Sequence, residues 1–189
     1  MKKQIRIGNI EIVEPRQIVY DVLKYQNTGS VLDFGAGFGR HALFLASKGF
    51  RVTAVEKDAE KLKVIQEKAH TLGVAIRTVQ ADVADFVPDE KYDVVLATQI
   101  LHFLTEDKVK TVIRRIQERT KQGGLNVVVA YTDENPAGLR PYLFRKGELE
   151  GAYRDWQILQ YEESAGPPMN PKDGGPSVRY SARLIAKKN

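Results

Sequence analysis

Short apolar runs alternate with longer amphipathic segments along most of the chain, a pattern typical of strands alternating with helices. The apolar runs predict five strands, at 30–34, 51–56, 74–81, 92–97 and 125–130. The segments around them carry apolar residues at helical spacing and predict helices over about 15–25, 41–46, 59–72 and 105–121. Residues 92–97 are apolar almost throughout, which indicates a central strand of a parallel sheet that is buried on both faces.

The C-terminal third follows a different pattern. A short helix is predicted to end near residue 155, and residues 156–161 and 178–186 alternate well enough to form two further strands. No helix is predicted between these strands, so they should pair as an antiparallel hairpin. We therefore predict an α/β fold with a doubly wound, mostly parallel seven-stranded sheet. At 189 residues the chain is predicted to be one domain, 1–189, in which 1–14 form an N-terminal arm or small hairpin.

Composition and charge narrow the range of possible functions. The content of 42% hydrophobic and 28% charged residues is that of an ordinary soluble domain. The net charge of +5 comes from bases interleaved with acids, as in 56–63, which indicates solvated helix faces and argues against a nucleic-acid partner. The absence of cysteine excludes disulfides, a cysteine nucleophile and thiolate metal ligands, and no metal site is predicted. No apolar stretch suggests a signal peptide or a membrane span, so we expect a cytoplasmic protein.

A glycine turn follows the first strand of the sheet. Residues 35–39 have the pattern G-x-G-x-G, too tight for side chains at the glycines, and Glu56 ends the next strand about 20 residues later. That spacing is typical of a nucleotide-binding unit in which the acid holds ribose hydroxyls. The last glycine of a dinucleotide fingerprint would fall at Arg40. Asp33, just before the turn, disfavours a pyrophosphate and suits a cationic ligand.

The run Asp33-Phe34-Gly35-Ala36-Gly37-Phe38-Gly39, together with Glu56, resembles motifs I and II of class I S-adenosylmethionine-dependent methyltransferases. The resemblance implies S-adenosylmethionine as cofactor and the sheet order 3-2-1-4-5-7-6, with the cofactor at the carboxyl ends of strands 1, 2 and 4. The residues it implies for cofactor binding are Arg16, Asp33, Gly35, Ala36, Gly37, Arg40, Glu56, Lys57, Asp82, Val83, Thr98 and Gln99.

Two of these cofactor-binding roles, and one candidate for catalysis, have structural alternatives. Arg16, at the start of the first helix, is a candidate for the methionine carboxylate or else a solvated surface arginine. Asp82, after the third strand, would lie near the adenine with Val83 beside it, or would simply be a capping aspartate. His102, beyond the fourth strand, is the best-placed general base or else packs beside Phe103.

The C-terminal half resembles the tellurite-resistance methyltransferases, through Phe-x-x-Gly-Glu-Leu at 144–149 and Tyr-x-x-Trp at 153–156. Members of that family often carry a His-Arg pair in the loop between the last two strands, where this chain has Pro167-Pro168. Arg140, Arg145 and Arg179 are possible replacements. The residues proposed for catalysis are His102 and Arg179, and those for the acceptor pocket are Tyr131, Arg140, Tyr142 and Phe144.

The resemblance implies methyl transfer to a small molecule or a metalloid oxyanion of the tellurite or selenite kind. An alternative is another small organic acceptor with a thiol, hydroxyl or amine, of which the last two might need a base. A nicotinamide-dependent oxidoreductase is disfavoured by Asp33 and Arg40, and a cofactor-binding protein without catalysis is a third possibility. The proline- and glycine-rich segment 165–176 is predicted to cover the acceptor as a lid. The sequence predicts no particular oligomeric state.

Overall fold

The structure is a computed structural model, and it describes residues 3–168 and 177–189. The chain begins with an antiparallel hairpin, β1 (Gln4–Ile7) and β2 (Ile10–Val13), followed by the short helix α1 (Gln17–Val22). The helices that follow are α2 (Arg40–Ser47), α3 (Ala59–Leu72), α4 (Glu106–Glu118) and α5 (Glu148–Gly151). The strands are β3 (Ser30–Phe34), β4 (Arg51–Glu56), β5 (Ile76–Gln80), β6 (Tyr92–Thr98), β7 (Thr120–Tyr131), β8 (Gln157–Ala165) and β9 (Tyr180–Lys187).

The predicted sheet is confirmed. Seven strands pair in the order β5-β4-β3-β6-β7-β9-β8. Numbered from β3, this is 3-2-1-4-5-7-6. The first five strands of the sheet are parallel to their neighbours, and β9 is antiparallel to both β7 and β8. The strand order reverses between β3 and β6, and in open sheets of this kind the crevice beyond the carboxyl ends at that point is where ligands bind.

Apolar side chains cover both faces of the sheet and form two cores. One core joins the sheet to α1, α2, α3 and the N-terminal hairpin, and the other joins it to α4 and α5. All five residues of β3 are buried. This explains why the strand is mostly apolar, and it makes the one carboxylate in it, Asp33, an exception that needs a reason.

Helix α3 is delimited as the sequence predicts. The side chain of Asp58 caps its first turn by accepting hydrogen bonds from the amides of Glu60 and Lys61, at 3.0 and 3.4 Å. Gly73 ends the helix with a φ of 69°, the left-handed conformation that favours glycine at this position.

Two boundaries differ from the prediction. Helix α4 ends at Glu118 rather than near 121, because Thr120 already pairs with Tyr92 in the sheet. Gly124 lies inside β7, where a Cβ would sit 2.9 Å from the carbonyl oxygens of Asp93 and Lys121. Only glycine fits so close an approach, so the Gly-Gly pair lies inside an irregular strand that begins at Thr120 rather than at 125.

The final hairpin is also longer than predicted. β8 continues past residue 161 to Ala165 because its acidic residues have partners: Glu163 accepts a hydrogen bond from the Gly147 amide at 2.8 Å, and Glu162 lies 3.7 Å from Arg183. The first helix is shorter than predicted and ends at Val22. Within the described ranges, no helix is long and apolar enough to cross a membrane.

The fold predicts a difference between two glycines with similar backbone conformations. Gly39 has a φ of 76°, and a Cβ there would meet the Ile65 side chain at 2.6 Å, whereas Gly73 has a φ of 69° with nothing within 4 Å. Both alanine variants should lose about 1–2 kcal/mol from the left-handed backbone. Gly39→Ala should lose about 1–3 kcal/mol more from overpacking. Urea unfolding of the two variants measures the difference, and equal losses would show that Ile65 moves aside freely.

Candidate functional site

The glycine turn between β3 and α2 lies at the point where the strand order reverses. The amides of Gly35 and Ala36 both donate hydrogen bonds to the Val55 carbonyl of β4, each at 2.9 Å. The turn is thereby fixed to the end of the neighbouring strand. Gly35, Gly37 and Gly39 have φ values of 77°, 56° and 76°, all in the left-handed region.

The three glycines are required for different reasons. A Cβ on Gly35 would lie 2.8 Å from the Ile100 side chain, and Gly39 is similarly crowded by Ile65. Protein packing therefore accounts for these two. At Gly37 a Cβ would meet nothing within 4 Å among the described residues. The backbone of Gly37 thus faces open space, where a ligand can approach it closely.

Glu56 is held beside this open glycine. The residue is 7% exposed, and its carboxylate Oε2 accepts a hydrogen bond from the Gly37 amide at 2.9 Å while Oε1 accepts one from the Asp58 amide at 3.2 Å. The Lys61 ammonium lies 3.7 Å from Oε1. A carboxylate has about four acceptor positions. Glu56 is therefore fixed by the protein and retains capacity to accept hydrogen bonds from a ligand.

Asp33 is a buried acid at the end of β3. It is 1% exposed, and neither of its oxygens accepts a well-formed hydrogen bond from the described residues. Burial raises the pKa of Asp33 to about 7, against the opposing influence of the Arg40 guanidinium and the Ala42 amide. A buried carboxyl without a satisfied partner is costly, and it is best explained by a positively charged ligand group that completes it.

Arg16, which is partly buried, and His41, which is buried, add two more polar groups near Arg40. Burial, and then the charge of Arg40, lower the pKa of Arg16 to about 10, and its Nε has no hydrogen-bond partner in the described chain. The Nδ1 of His41 lies 3.1 Å from the Thr98 hydroxyl, while its Nε2 is buried without such a partner among the described residues. Sequence reasoning missed His41, although an imidazole on the buried face of α2, directly after Arg40, is a recognisable signal.

The end of β6 carries a strained residue. Gln99 has a φ of 58°, and its amide donates to the Val129 carbonyl at 2.6 Å. Left-handed backbone in a residue other than glycine occurs preferentially at functional sites, where surrounding structure holds it. Thr98, just before it, is 8% exposed. Both residues lie where the sequence places them, beyond the carboxyl end of a central strand.

The residues predicted near the adenine are more exposed. Asp82 follows β5, with its carboxylate accepting a hydrogen bond from the Ala84 amide at 2.9 Å, and it lies 3.9 Å from the Lys57 ammonium. Val83 is buried in the core on the α4 side of the sheet. Asp82 therefore caps a local turn, and its side chain is accessible to a ligand.

His102 packs against Tyr131, and both lie on the opposite side of the strand-order reversal from the glycine turn. The two rings stack with centroids 3.9 Å apart and an interplanar angle of 7°. The His102 Nδ1 accepts a hydrogen bond from the Tyr131 amide at 3.3 Å. Burial lowers the pKa of His102 to about 3, helped by the positive charges of Arg140, Arg16 and Arg179. The imidazole is therefore neutral at physiological pH, with its proton on Nε2.

Arginines surround this aromatic pair. Arg140 lies over the Phe103 ring at 4.9 Å and over the Tyr131 ring at 5.9 Å, and Arg179 also lies 5.9 Å from the Tyr131 ring centre. Arg179 is 4% exposed. With Arg16, these guanidinium groups make the region strongly electropositive, which suits an anion.

Two residues predicted for the acceptor pocket make other contacts. Phe144 is buried in the core and packs edge-on against Tyr142, with ring centroids 5.0 Å apart. The Tyr142 hydroxyl donates a short hydrogen bond to Glu148, and burial raises the pKa of Tyr142. Arg145 is exposed, and its backbone amide donates to Glu148.

The predicted lid, 165–176, falls largely on residues 169–176, which lie outside the described residues. At its start, the Gly166 amide donates to the Arg179 carbonyl at 2.7 Å, so the hairpin ladder extends one residue past β8. Across the described ranges there is no cluster of three or more His, Asp or Glu side chains that could hold a metal ion.

The amino-acid sequence of this chain is similar to those of known proteins. A family model described as the tellurite resistance protein TehB matches residues 8–180. The probable S-adenosyl-L-methionine-dependent methyltransferase TehB of Haemophilus influenzae strain 10810 is 30% identical over 174 residues, which are 90% of this chain and 61% of that protein. The chain thus spans about three fifths of the length of this relative.

Solved structures agree with the fold. The crystal structure of TehB from Haemophilus influenzae superimposes with a TM-score of 0.86 at 28% identity, over 93% of this chain and 63% of that one. A Burkholderia thailandensis 1,6-didemethyltoxoflavin-N1-methyltransferase, solved with S-adenosylhomocysteine bound, gives a TM-score of 0.72 at 21% identity. That alignment covers 92% of this chain and 77% of the Burkholderia chain, and it supports the fold alone.

The environment of Asp33 predicts an unusual dependence of stability on pH. With its pKa raised to about 7, the folded protein binds more protons than the unfolded chain at pH values below that, so this group makes the protein less stable as pH rises from about 4 to 7. Asp33→Asn removes the effect. Between about pH 5 and pH 7, its unfolding free energy relative to the parent should rise by about 2 kcal/mol. Urea unfolding at both pH values measures this, and a pH-independent difference would contradict the raised pKa.

Proposed function

This chain belongs to the TehB tellurite-resistance family, and from that premise we propose that it is an S-adenosylmethionine-dependent methyltransferase with a small oxyanion of the tellurite or selenite class as acceptor. The observation that carries the proposal is the buried acid Asp33 and the partly buried Arg16, both under the influence of the Arg40 charge and both with buried side-chain atoms that lack hydrogen-bond partners in the described chain, together with a glycine backbone that faces open space. A zwitterionic amino-acid group on a nucleoside needs this combination.

The residues present fit the cofactor. Asp33 would hold the positively charged side of its methionine part and Arg16 the carboxylate. Gly37, with Gly35, Ala36 and Arg40 around it, leaves room for close approach of the backbone. Glu56 would accept hydrogen bonds from the ribose hydroxyls.

The remaining contacts that we propose lie further along the crevice. Lys57, Asp82 and Val83 would contact the adenine, and Thr98 and Gln99 would lie under the reacting end. S-adenosylmethionine, when bound, supplies an electrophilic methyl group on a positively charged sulfur. The protein's part is to position the two reactants and to exclude water.

The acceptor side supports an anion. Arg140 and Arg179, around the neutral His102, would hold and orient a small oxyanion through charge-assisted hydrogen bonds. The Nε2–H of His102 would donate to one of its oxygens. A tellurium or selenium atom has its own lone pair, so no proton needs to be removed from it before attack. In this scheme Tyr131 holds the His102 ring in place by stacking on it, and Tyr142 and Phe144 support the wall of the acceptor pocket.

Acceptors with a thiol, hydroxyl or amine are the alternative. A hydroxyl or amine would lose a proton, for which His102 is the candidate base. A group with a pKa of about 3 is a weak base at neutral pH, and its Nδ1 already accepts the Tyr131 amide. These two facts favour the oxyanion. The buried Asp33 likewise disfavours the pyrophosphate of a nicotinamide cofactor.

Cofactor binding is tested at Glu56. Replacing Glu56 with Gln should weaken S-adenosylmethionine binding by about tenfold or more, because hydrogen bonds to a charged group are worth about 1.5–3 kcal/mol. Asp89→Asn, in an exposed ion pair with Arg77, is the control and should bind as the parent does. Calorimetry with S-adenosylmethionine and, separately, NAD measures both. NAD binding in place of S-adenosylmethionine would sink the proposed function.

The acceptor class is tested at Arg179. Arg179→Gln should lower kcat/KM for tellurite or selenite by about tenfold or more, while S-adenosylmethionine affinity stays within about twofold. Arg154→Gln, whose side chain is 83% exposed, is the matched control. Turnover is followed as S-adenosylhomocysteine formation, with a neutral thiol as second acceptor. If Arg179→Gln slows the thiol reaction as much as the oxyanion reaction, the arginine is structural and the oxyanion assignment fails.

A further inference from the structure

His41 is a buried imidazole that links the two halves of the site. It lies in the first turn of α2, directly after the glycine turn, and is 4% exposed. Its Nδ1 contacts the hydroxyl of Thr98, the last residue of β6, at 3.1 Å. The contact therefore joins α2, which follows the glycine turn, to β6, the neighbour of β3 on the other side of the strand-order reversal.

The charges around His41 determine its protonation. Burial lowers the pKa of His41 well below 6.5, and the positive charges of Arg40 and Arg16 lower it further. The ring is neutral, so one nitrogen carries a proton and the other a lone pair. A threonine hydroxyl can donate to the Nδ1 lone pair, which leaves the proton on Nε2.

The surroundings of Nε2 agree with that tautomer. Nε2 is buried, and neither it nor the Arg16 Nε makes a hydrogen bond within the described residues. If Nε2 carried a lone pair, the nearby guanidinium groups would be natural donors to it. Two buried donors without an acceptor, in a region that also feels the positive charges of Arg16 and Arg40, instead indicate a missing anion.

The position of His41 identifies which anion. The arginines that act on His41 are Arg40 and Arg16, whereas those that act on His102 are Arg140, Arg16 and Arg179. Arg16 is common to both sets, so its charge acts on both histidines. His41 is on the side of the glycine turn and the buried acid, and His102 is on the acceptor side.

We propose that His41 is a positioning residue for the cofactor, whose Nε2–H donates a hydrogen bond to the carboxylate of the methionine part beside Arg16. Thr98 orients the ring by donating to Nδ1. This inference rests on the proposed function, and it adds a carboxylate donor that comes from α2 rather than from the N-terminal helix. The amino-acid end of the cofactor is then held from two elements, which fixes the direction of the reacting sulfur.

The test compares S-adenosylmethionine with decarboxylated S-adenosylmethionine, which keeps the nucleoside, the sulfur and the ammonium group but lacks the carboxylate. His41→Phe keeps the ring volume and removes the donor, so it should weaken S-adenosylmethionine binding by about tenfold or more and leave the decarboxylated ligand within about twofold. His41→Gln places an amide N–H near the Nε2 position and should retain most of the affinity. His70→Phe, on the exposed face of α3, is the control.

Thr98→Val provides an independent variant if His41→Phe does not fold, as judged by circular dichroism and thermal unfolding. It removes the hydroxyl that selects the tautomer, and it should weaken S-adenosylmethionine more than the decarboxylated ligand. Equal weakening of both ligands by the His41 and Thr98 variants would overturn the inference in favour of a structural contact. A change only in KM for the acceptor oxyanion would also overturn it. Parent protein that binds neither ligand would overturn the proposed function itself, whereas failure of the inference alone leaves parent binding intact.

Discussion

The attachment of the glycine turn to β4 is the constraint on which the rest of the site depends. The Val55 carbonyl accepts the Gly35 and Ala36 amides, and the next residue, Glu56, accepts the Gly37 amide. These contacts fix the left-handed turn against a strand that is buried along most of its length. They also explain why Glu56 and the turn form one unit: the acid that would bind a ribose is the same group that orders the backbone in front of it.

The second organising feature is a group of oppositely charged side chains in a largely buried region. Five buried or half-buried polar side chains meet near the strand-order reversal, namely Arg16, Asp33, Arg40, His41 and Glu56. The burial of Asp33 raises its pKa, and burial together with the charges of the arginines lowers the pKa values of both His41 and His102. An environment that leaves buried atoms of an acid, a guanidinium and an imidazole without hydrogen-bond partners in the described chain is poorly satisfied on its own. Such a site is prepared for a ligand with charges of both signs.

Much of the fold follows from periodicity. The five apolar runs, the helices between them and the final hairpin are confirmed, because continuous burial or one-sided burial leaves a clear pattern in the sequence. Errors occur at boundaries such as 119–124, where helix and strand signals overlap and pairing of Thr120 with Tyr92 decides the outcome. β8 is longer than its sequence pattern predicts, because partners from other segments allow Glu162 and Glu163 to continue the strand.

The sequence alone determined the glycine turn, the buried acid before it and the acid ending the next strand, because these depend on short spacings within one βαβ unit. Only the tertiary structure decided which glycine faces open space, because Gly35 and Gly39 are crowded by side chains distant in sequence, Ile100 and Ile65, and Gly37 is not. The same holds for His41, whose contact with Thr98 joins residues 57 positions apart. It also holds for the arginines around His102, which come from separate segments of the chain. Local patterns specify elements, whereas contacts between distant residues are set by how the sheet is ordered, and this is why the grouping of these arginines around His102 emerges only in three dimensions.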